Sequence, residues 1–385
     1  MITRIKSDRI ITPEGLQAGY VYFDEDKILS VTTDESPCDC TYDFTGRYVS
    51  PGFIDMHVHG GAGEDFCDTD AAGIARAANM HLRHGTTTIM PTVTSVAYDA
   101  ICHSLDTLRE SLASGGFLPR FGGVHLEGPY FSPEMCGAQN PENIKAPDPG
   151  EYEALLDRYG DLIRRWSYAP ETDRAARFAA YLSAHGVLPS MGHSAALYED
   201  CLAAVSAGCQ LVTHLYSCTS TITRVGGFRK LGIIEAAWLL DDLSVEIIAD
   251  GKHLPPELIR MIIKIKGTDR VSLVTDAIRV AGSDQTQGDI GGVQFIVEDG
   301  VAKLPDRSAF AGSIATTDRL LRVCIKEAGI PLQDAVRMIS TNPARILKLN
   351  AGCIAAGYLP DIVVFDDNVV INAVFAGGKP VSLNV

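Results

Sequence analysis

The stretch Pro51-Gly52-Phe53-Ile54-Asp55-Met56-His57-Val58-His59 decides the interpretation of the fold, because it is an apolar, strand-like run that ends in two histidines. Side chains two residues apart on a strand lie on the same face. Both imidazoles can therefore reach one metal ion, and imidazole is a ligand that suits zinc, iron and nickel. The alternative is a pair of surface histidines, but a polar pair at the end of a core strand is costly to desolvate. The pair predicts a metal site.

The composition limits what the rest of the chain can form. The 385 residues, 46% of them hydrophobic, are enough for one barrel and a small additional domain. The formal net charge of -15 argues against nucleic-acid and anionic-membrane partners, because both need clustered basic surface. We therefore expect a small-molecule partner, and an anionic one would need a local basic clamp.

The cysteines and the N-terminal residues both indicate a cytoplasmic protein. Ten cysteines are scattered from Cys38 to Cys353 without a Cys-x-x-Cys pair, so reduced thiols are the better interpretation. Residues 1–8 carry no apolar segment of the kind that a secretory signal needs. No run approaches the roughly 18 consecutive apolar residues of a membrane helix. We expect a soluble cytoplasmic protein.

From Phe53 onward, apolar strand-like runs alternate with helix-length stretches, which is typical of βα units around a parallel sheet. Eight such runs can be counted, at residues 53–59, 87–91, 121–127, 165–169, 187–193, 210–214, 244–249 and 271–275. Helices are predicted at about 70–84, 97–113, 150–160, 172–185, 197–207, 229–240, 255–266, 316–328 and 331–341. Eight alternating units predict a (β/α)8 TIM-like barrel.

The two ends of the chain differ from this middle part. Residues 1–50 contain short alternating strands and turns without a long amphipathic helix, and short β segments return at 362–365 and 373–375. We predict a small β-sandwich domain built from residues 1–50 and 346–385, and a barrel formed by residues 51–345. Glycines within residues 288–304 indicate a β-hairpin inserted after the eighth strand.

Polar, metal-competent side chains end most of the predicted strands. In a (β/α)8 barrel these strand ends meet at one mouth, where active sites lie. A single histidine at a strand end is more often an ordinary core or rim residue than a ligand, but here five strand ends agree. The residues that should converge are His57, His59, Glu127, His193, His214 and Asp276. His81 and His84, near the end of a predicted helix, are expected to cap its carbonyls.

Motifs spread over nearly the whole chain carry a resemblance to a known family. They are residues 51–59, His125-Leu126-Glu127-Gly128-Pro129, Gly192-His193-Ser194, Thr213-His214-Leu215, Asp250-Gly251 with His253, and Val274-Thr275-Asp276-Ala277. In these motifs the chain resembles the amidohydrolase superfamily and, within it, the N-acetylglucosamine-6-phosphate deacetylase family. Together they are far more specific than the first histidine pair.

The resemblance implies a set of metal ligands. Glu127, His193 and His214 would hold one divalent metal ion, and His57 and His59, with Glu127 bridging, would hold a second. Some family members lack the first histidine pair and work with one ion, so one or two ions per subunit are expected. Zinc is the default for this ligand set, with iron, nickel or cobalt as alternatives.

The resemblance also implies the reaction, removal of the acetyl group from N-acetylglucosamine 6-phosphate to give glucosamine 6-phosphate and acetate. A divalent metal lowers the pKa of bound water toward about 7 and polarises the amide carbonyl. Asp276 would take a proton from the water and pass it to the leaving amine, since an amine must be protonated to depart; alternatively it is a ligand or a strand-end cap. His253 would donate a hydrogen bond to the substrate carbonyl or a sugar hydroxyl, unless it is a solvated loop residue.

Substrate contacts are predicted in the loops over the mouth. Arginine offers phosphate a matching fork of donors, and Arg224 and Arg229 follow the sixth strand. In the family an arginine in this region reaches phosphate, sometimes from a neighbouring subunit, so a homodimer is expected; the alternative is that both arginines are solvated loop charges. Backbone amides at Ala138, Ser217 and Cys218 are further candidates, because they do not depend on the side chain.

Two loops depart from the family pattern. An aromatic residue and Asn-Ala-Met usually follow the sixth-strand histidine, but this chain has Tyr216-Ser217-Cys218-Thr219. The family usually shows Gly-Ala-His where this chain has Gly137-Ala138-Gln139, so Gln139 replaces a histidine that faces substrate. Two alternatives therefore stay open: a deacetylase of N-acetylgalactosamine 6-phosphate or of an N-acyl amino acid, and a non-catalytic barrel scaffold. The scaffold is disfavoured because all six converging residues are retained.

Overall fold

The strands of the computed structural model form a parallel barrel and a second sheet, and the structure describes residues 1–383. In chain order the strands are β1 (Thr3–Thr12), β2 (Gly15–Phe23), β3 (Ile28–Thr32), β4 (Cys40–Asp43), β5 (Tyr48–Pro51), β6 (Phe53–Val58), β7 (Gly60–Gly61), β8 (Glu64–Asp65), β9 (Thr86–Val93), β10 (Arg120–Phe121), β11 (Val124–Glu127), β12 (Ile163–Tyr168), β13 (Leu188–Met191), β14 (Leu211–Val212), β15 (Thr223–Val225), β16 (Phe228–Lys230), β17 (Ser244–Ile247), β18 (Val271–Leu273), β19 (Gln287–Ile290), β20 (Val293–Glu298), β21 (Val301–Lys303), β22 (Ile362–Phe365), β23 (Ile371–Ala376) and β24 (Lys379–Pro380).

Most of the helices connect the barrel strands. They are α1 (Ala71–Arg83), α2 (Tyr98–Ala113), α3 (Pro149–Tyr159), α4 (Arg177–Ala184), α5 (Tyr198–Ser206), α6 (Ile233–Leu239), α7 (Pro256–Lys266), α8 (Thr317–Lys326), α9 (Leu332–Ile339) and α10 (Thr341–Ile346). Single 3₁₀ turns lie at Pro133–Met135, Pro141–Asn143, Pro170–Thr172, Arg174–Ala176 and Thr268–Arg270. Within residues 1–383, no helix combines the length and the apolar character needed to cross a bilayer.

The predicted barrel is confirmed. Its parallel strands follow one another in chain order as β6, β9, β11, β12, β13, β14, β17 and β18. The segment after β18 bridges back to the first strand, because the Asp276 N–H donates to the His57 carbonyl (2.9 Å) and the His59 N–H donates to the Ala277 carbonyl (2.7 Å). These bonds place the ends of the first and eighth strands side by side at the mouth.

Local sequence explains how each βα unit forms, as the first one illustrates. Helix α1 begins after Asp70, whose carboxylate accepts a hydrogen bond from the Gly73 N–H over 2.7 Å. The helix buries Ile74 and its neighbours against the barrel strands, where the main core lies. Gly85 then turns the chain into β9 with φ of +97°, and a Cβ there would lie 2.6 Å from the Phe53 ring. Only glycine fits this turn.

The second sheet draws on both ends of the chain, as predicted for the small β domain. Its order is β24-β23-β22-β5-β1-β2-β3, with β4 beside β1. Antiparallel pairing of β22 with β5 brings the C-terminal strands onto the segment that leads into the barrel. Residues from six of these strands share a core of their own, in which the rings of Phe23 and Phe375 pack edge to face at 5.7 Å.

The insertion after the eighth strand is larger than the predicted hairpin. Strands β19, β20 and β21 form an antiparallel sheet of three strands. The third strand exists because Asp299 and Gly300 both have positive φ, which suits the tight turn between β20 and β21. Ile290 and Phe295 of this sheet pack on Ile278 and Val280, in the loop that follows Asp276. The insertion therefore lies over the barrel mouth.

Candidate active site

Six side chains from the ends of five barrel strands converge at the mouth. His57 and His59 come from the end of β6, Glu127 from β11, His193 and His214 from the loops after β13 and β14, and Asp276 from the loop after β18. All six are buried, and Asp276 is the most exposed at 8%. The structure thus brings together every residue that the strand-end pattern selected.

The carboxylate of Glu127 lies at the centre of this cluster. Its Oε1 is 2.9 Å from Nε2 of His214 and 3.3 Å from Nε2 of both His193 and His57. Its Oε2 is 3.2 Å from Nε2 of His59. Burial opposes ionisation, but the surrounding imidazoles, His57 foremost, outweigh it and hold the pKa of Glu127 well below its usual value. The carboxylate therefore faces all four imidazoles as an anion.

Asp276 faces the first histidine pair. Its Oδ1 lies 3.4 Å from Nε2 of His57 and 3.2 Å from Nε2 of His59. Burial raises the pKa of Asp276, but the charges of these two imidazoles reverse the effect and lower it below the ordinary 3.8. Asp276 is thus an ionised proton acceptor that also lines the cavity described below.

Three of the six residues occupy the left-handed region of backbone conformation. The φ angles are 47° at His193, 27° at His214 and 49° at Asp276. Left-handed geometry costs a residue with a Cβ roughly 1–2 kcal/mol. Such strain persists where the surroundings impose it and clusters at functional sites. Here the turns aim these side chains at one point.

The unsatisfied nitrogens of the cluster fit a bound cation. Nδ1 of His193 donates to the Met135 carbonyl over 3.0 Å, so in the neutral ring Nε2 carries a lone pair. That lone pair faces Oε1 of Glu127 and lies 3.1 Å from Nε2 of His214. Nε2 of His57 is buried without a hydrogen-bond partner among the described residues. Buried imidazole nitrogens that converge on a carboxylate in this way are a donor set that a divalent metal ion binds.

Two groups of ligand atoms are compact enough for a metal ion. In His57–Glu127–His214 and in His57–His59–Asp276, the ligand atoms of each group lie within 4.8 Å of one another. Nitrogen and carboxylate donors of this kind suit zinc and other divalent first-row metals. The residues present therefore fit the divalent metal that the sequence predicted.

A cavity of about 260 Å³ opens over the cluster. Besides His59, Glu127, His193, His214 and Asp276, it is lined by Ala138, Gln139, Tyr216, Ser217, Cys218, His253, Ile290, Ala309, Phe310 and Gly312. Four predicted substrate contacts, Ala138, Ser217, Cys218 and His253, are therefore placed at the cavity. Within residues 1–383, no lysine or arginine lines it.

His253 is held in the cavity wall by Asp250. Its Nδ1 donates to Oδ2 of Asp250 over 3.0 Å, and its ring packs against Phe310 at 4.9 Å. The side chain is 6% exposed, so it is not a solvated loop residue. With Nδ1 engaged, Nε2 is the ring nitrogen that remains for a group in the cavity.

Arg224 and Arg229, the predicted phosphate contacts, lie elsewhere. They are cross-strand partners on the hairpin of β15 and β16, and both are exposed. The helix predicted over residues 229–240 begins only at Ile233, because Gly226 and Gly227 adopt positive φ and turn the chain into this hairpin. Neither arginine lines the cavity of its own chain.

Gln139 has a role that the sequence did not reveal. Its Nε2 donates to Oε2 of Glu127 over 2.7 Å, and its Oε1 accepts from the Thr94 hydroxyl (2.7 Å) and the Ser95 N–H (2.9 Å). The sequence marked Gln139 only as the replacement of a substrate-facing histidine. A signal for this role was present in the sequence, because the polar pair Thr94-Ser95 follows the second strand. The search for metal-competent residues at strand ends did not select this pair.

Known proteins match this chain over nearly its full length. A family model described as the amidohydrolase family matches residues 48–381. An N-acetylglucosamine-6-phosphate deacetylase of Lysinibacillus sphaericus is 31% identical over 87% of this chain and 86% of its own. An N-acetylgalactosamine-6-phosphate deacetylase of Escherichia coli O157:H7 is 28% identical over 97% of this chain and 98% of its own. The crystal structure of N-acetyl-D-glucosamine-6-phosphate deacetylase from Mycobacterium smegmatis has a TM-score of 0.90 and 33% identity, covering 99% of this chain and 100% of that one.

Proposed function

Since this chain belongs to the amidohydrolase family, as its motifs predicted, we propose that it deacetylates N-acetylglucosamine 6-phosphate in amino-sugar catabolism. It is a hydrolase of carbon–nitrogen bonds. The products are glucosamine 6-phosphate and acetate. The observation that carries the proposal is the convergence of Glu127, His193, His214 and Asp276 at the wall of one cavity.

The geometry of the cluster supports an assignment of the metal ligands. Glu127, His193 and His214 would hold one divalent ion, and His57 and His59 would share Glu127 with a second. When bound, such an ion polarises the amide carbonyl and acidifies water. We propose zinc, because mixed nitrogen and oxygen donors at buried strand ends are typical zinc ligands.

Asp276 would transfer the protons of the reaction, and His253 would orient the substrate. Asp276 accepts a proton from the attacking water and delivers it to the leaving amine, a role that suits an ionised carboxylate at the cavity wall. His253, whose ring is fixed by Asp250, would contact the substrate through Nε2: the neutral ring, with its proton on Nδ1, accepts from a sugar hydroxyl, and the protonated ring donates to the substrate carbonyl. Backbone amides at Ala138, Ser217 and Cys218 contact the sugar.

We place the phosphate contact on a second subunit. The cavity wall lacks lysine and arginine within residues 1–383, while Arg224 and Arg229 stand on an exposed hairpin. That hairpin also exposes Val225 (53%) and Phe228 (78%), and apolar exposure of this kind is typical of a protein contact. In a homodimer whose hairpins cross between subunits, each cavity would receive arginines from its neighbour.

The location in the cell is also a proposal. All ten cysteines, each within the described residues, are free thiols. Free thiols are the usual state in a reducing compartment. They support a cytoplasmic enzyme.

A second candidate substrate is N-acetylgalactosamine 6-phosphate. It is favoured by Gln139, Ser217 and Cys218, which line the cavity and depart from the pattern of the N-acetylglucosamine enzymes. Relatives named for this activity occur at 28% and 31% identity. An N-acyl amino acid is the third candidate. The scaffold alternative has no support, because the chain is a hydrolase by its family.

One experiment tests the proposal. The zinc-loaded protein is incubated with N-acetylglucosamine 6-phosphate, N-acetylgalactosamine 6-phosphate and an N-acetyl amino acid, and released acetate is measured. We expect the highest kcat/KM for the first. Higher turnover of another substrate would reassign the specificity, and no acetate from any of them would refute the function. Asp276→Asn protein, which should retain metal, is the control for a contaminating enzyme.

A further inference from the structure

A completely buried ion pair lies directly beneath the cluster of ligands. Arg165 of β12 and Glu246 of β17 are both 0% exposed. The guanidinium engages both carboxylate oxygens, Nη1 with Oε1 and Nη2 with Oε2, the latter at 2.7 Å. Such a pair adds little to stability, because its attraction is offset by the loss of hydration of two charges. Its presence in the barrel interior therefore calls for another explanation.

Arg165 ties together the strands that carry two of the ligands. It makes three further hydrogen bonds, from Nη1 to the Met56 carbonyl (3.0 Å), from Nη2 to Oγ1 of Thr213 (3.0 Å) and from Nε to Oγ of Ser190 (3.1 Å). Met56 directly precedes His57, and Thr213 directly precedes His214. The guanidinium thus holds the backbone of the residue before His57 and the side chain of the residue before His214. The rigid, planar geometry of guanidinium suits this task.

Glu246 faces the far side of the His57 ring. Its Oε2 lies 3.6 Å from Nδ1 of His57, an electrostatic contact just beyond hydrogen-bond distance, while Nε2 of the same ring points to Glu127 at 3.3 Å. A carboxylate next to Nδ1 favours the tautomer that carries its proton there. Nε2 then keeps its lone pair for a metal. Carboxylates that act on a ligand through its second nitrogen in this way raise metal affinity.

We propose that Arg165 and Glu246 form a positioning pair for the metal centre. Arg165 sets the separation of the strand ends that bear His57 and His214, and Glu246 fixes the orientation and tautomer of His57. The inference rests on the proposed function, since it requires that the six converging residues bind metal. It goes beyond that function because it assigns a role to an ion pair that contacts neither the substrate nor the metal.

Zinc affinity, measured by competition with a chromophoric chelator, tests this pair without recourse to activity. The zinc site that includes His57 is identified as the one that no longer binds zinc in His57→Asn protein. We expect Glu246→Gln, and the double variant Arg165→Met with Glu246→Leu, to bind zinc at that site about 10- to 100-fold more weakly than wild type. The double variant is included because it removes both charges and should keep the thermal stability of the metal-free protein.

A matched control is Arg120→Met, which breaks an ion pair between Arg120 and the buried Asp361 that involves none of the ligands. It should bind zinc as the wild type does. Wild-type zinc affinity in the folded double variant, or in Glu246→Gln if only that variant folds, would overturn the positioning role. If the wild-type protein itself bound no zinc, the proposed function would fail first, so the two failures are distinguishable.

Discussion

The side-chain amide of Gln139 donates a hydrogen bond of 2.7 Å to Oε2 of Glu127. The orientation of the amide is fixed, because its oxygen accepts hydrogen bonds from Thr94 and Ser95 and its nitrogen must then face the carboxylate. Glu127 is thereby held with Oε1 toward His214 and with Oε2 shared between Gln139 and His59. A residue that the sequence marked only as the replacement of a substrate contact thus supports Glu127, the proposed metal ligand.

Gln139→Leu should lower kcat/KM about 10- to 100-fold, because a hydrogen bond to a charged group contributes roughly 1.5–3 kcal/mol. Zinc affinity should fall with it, whereas loss of a substrate contact alone would raise KM and leave zinc affinity unchanged. Steady-state kinetics and chelator competition separate these outcomes. Gln17→Leu, at an exposed position of β2 in the second sheet, is the control for the chemical change.

Asp276→Asn should reduce kcat by about 10²- to 10⁴-fold, since it removes the proposed general base and acid. Zinc should still bind, because Glu127, His193 and His214 remain. Metal analysis of the purified variant beside its kinetics checks both statements. If the variant lost its metal together with its activity, Asp276 would instead be a ligand, which its distances to His57 and His59 also permit.

The hairpin proposal predicts complementation between two impaired proteins, assayed at a substrate concentration well below the raised KM. Arg224→Ala/Arg229→Ala protein should have a raised KM for the phosphorylated sugar, and Asp276→Asn protein should be inactive. Subunits mixed under conditions that exchange dimers should regain activity, because a hybrid has one cavity with Asp276 intact and arginines from its neighbour. Arginines that act within their own chain would give no recovery, and a monomer in sedimentation would exclude the arrangement.

His81 should make the protein less stable at acidic pH. Burial lowers the pKa of His81 from 6.5 to about 4, and its Nε2 donates to the Gly60 carbonyl over 2.8 Å. The unfolded chain takes up this proton below about pH 6.5, but the folded protein resists it until about pH 4. The contribution to stability is therefore complete above pH 6.5 and falls as the pH drops toward 4, by about 3 kcal/mol in total.

His81→Gln keeps a donor near the position of Nε2 but cannot titrate. The free energy of unfolding of both proteins is measured by urea titration at pH 7 and at pH 4.5. Between these two pH values we expect the wild type to lose more unfolding free energy than the variant. An unchanged difference would mean that the His81 ring is not held neutral in the folded protein.

His81 also shows a limit of local patterns. The sequence predicted that it would cap the end of α1, but α1 ends at Arg83, with His84 as its C-cap, and His81 turns inward to a carbonyl after β6. The spacing within a helix identifies which residues are near its end. It does not identify which of them the neighbouring strand will bury.

The convergence of the six strand-end residues, by contrast, could be predicted because each one sits at or directly after a strand end. Alternation of apolar and polar residues and the placement of helices are local properties, and barrel closure then brings all strand ends to one mouth. His57, His59, Glu127 and Asp276 needed no knowledge of side-chain packing. The placement of Arg224 and Arg229 could not be predicted in this way, because residues 223–230 form a hairpin that no apolar periodicity signals.

The amino-acid sequence by itself thus determined the parallel barrel, the β domain from both termini, the hydrolase family and the converging strand-end residues. Only the tertiary structure decided that Gln139 supports Glu127, that Arg165 pairs with Glu246, and that the described chain places no arginine at its cavity. The physical reason is distance along the chain. Strand periodicity is fixed by neighbouring residues, whereas Arg165 and Glu246 lie 81 positions apart and meet only because β12 and β17 face one barrel interior.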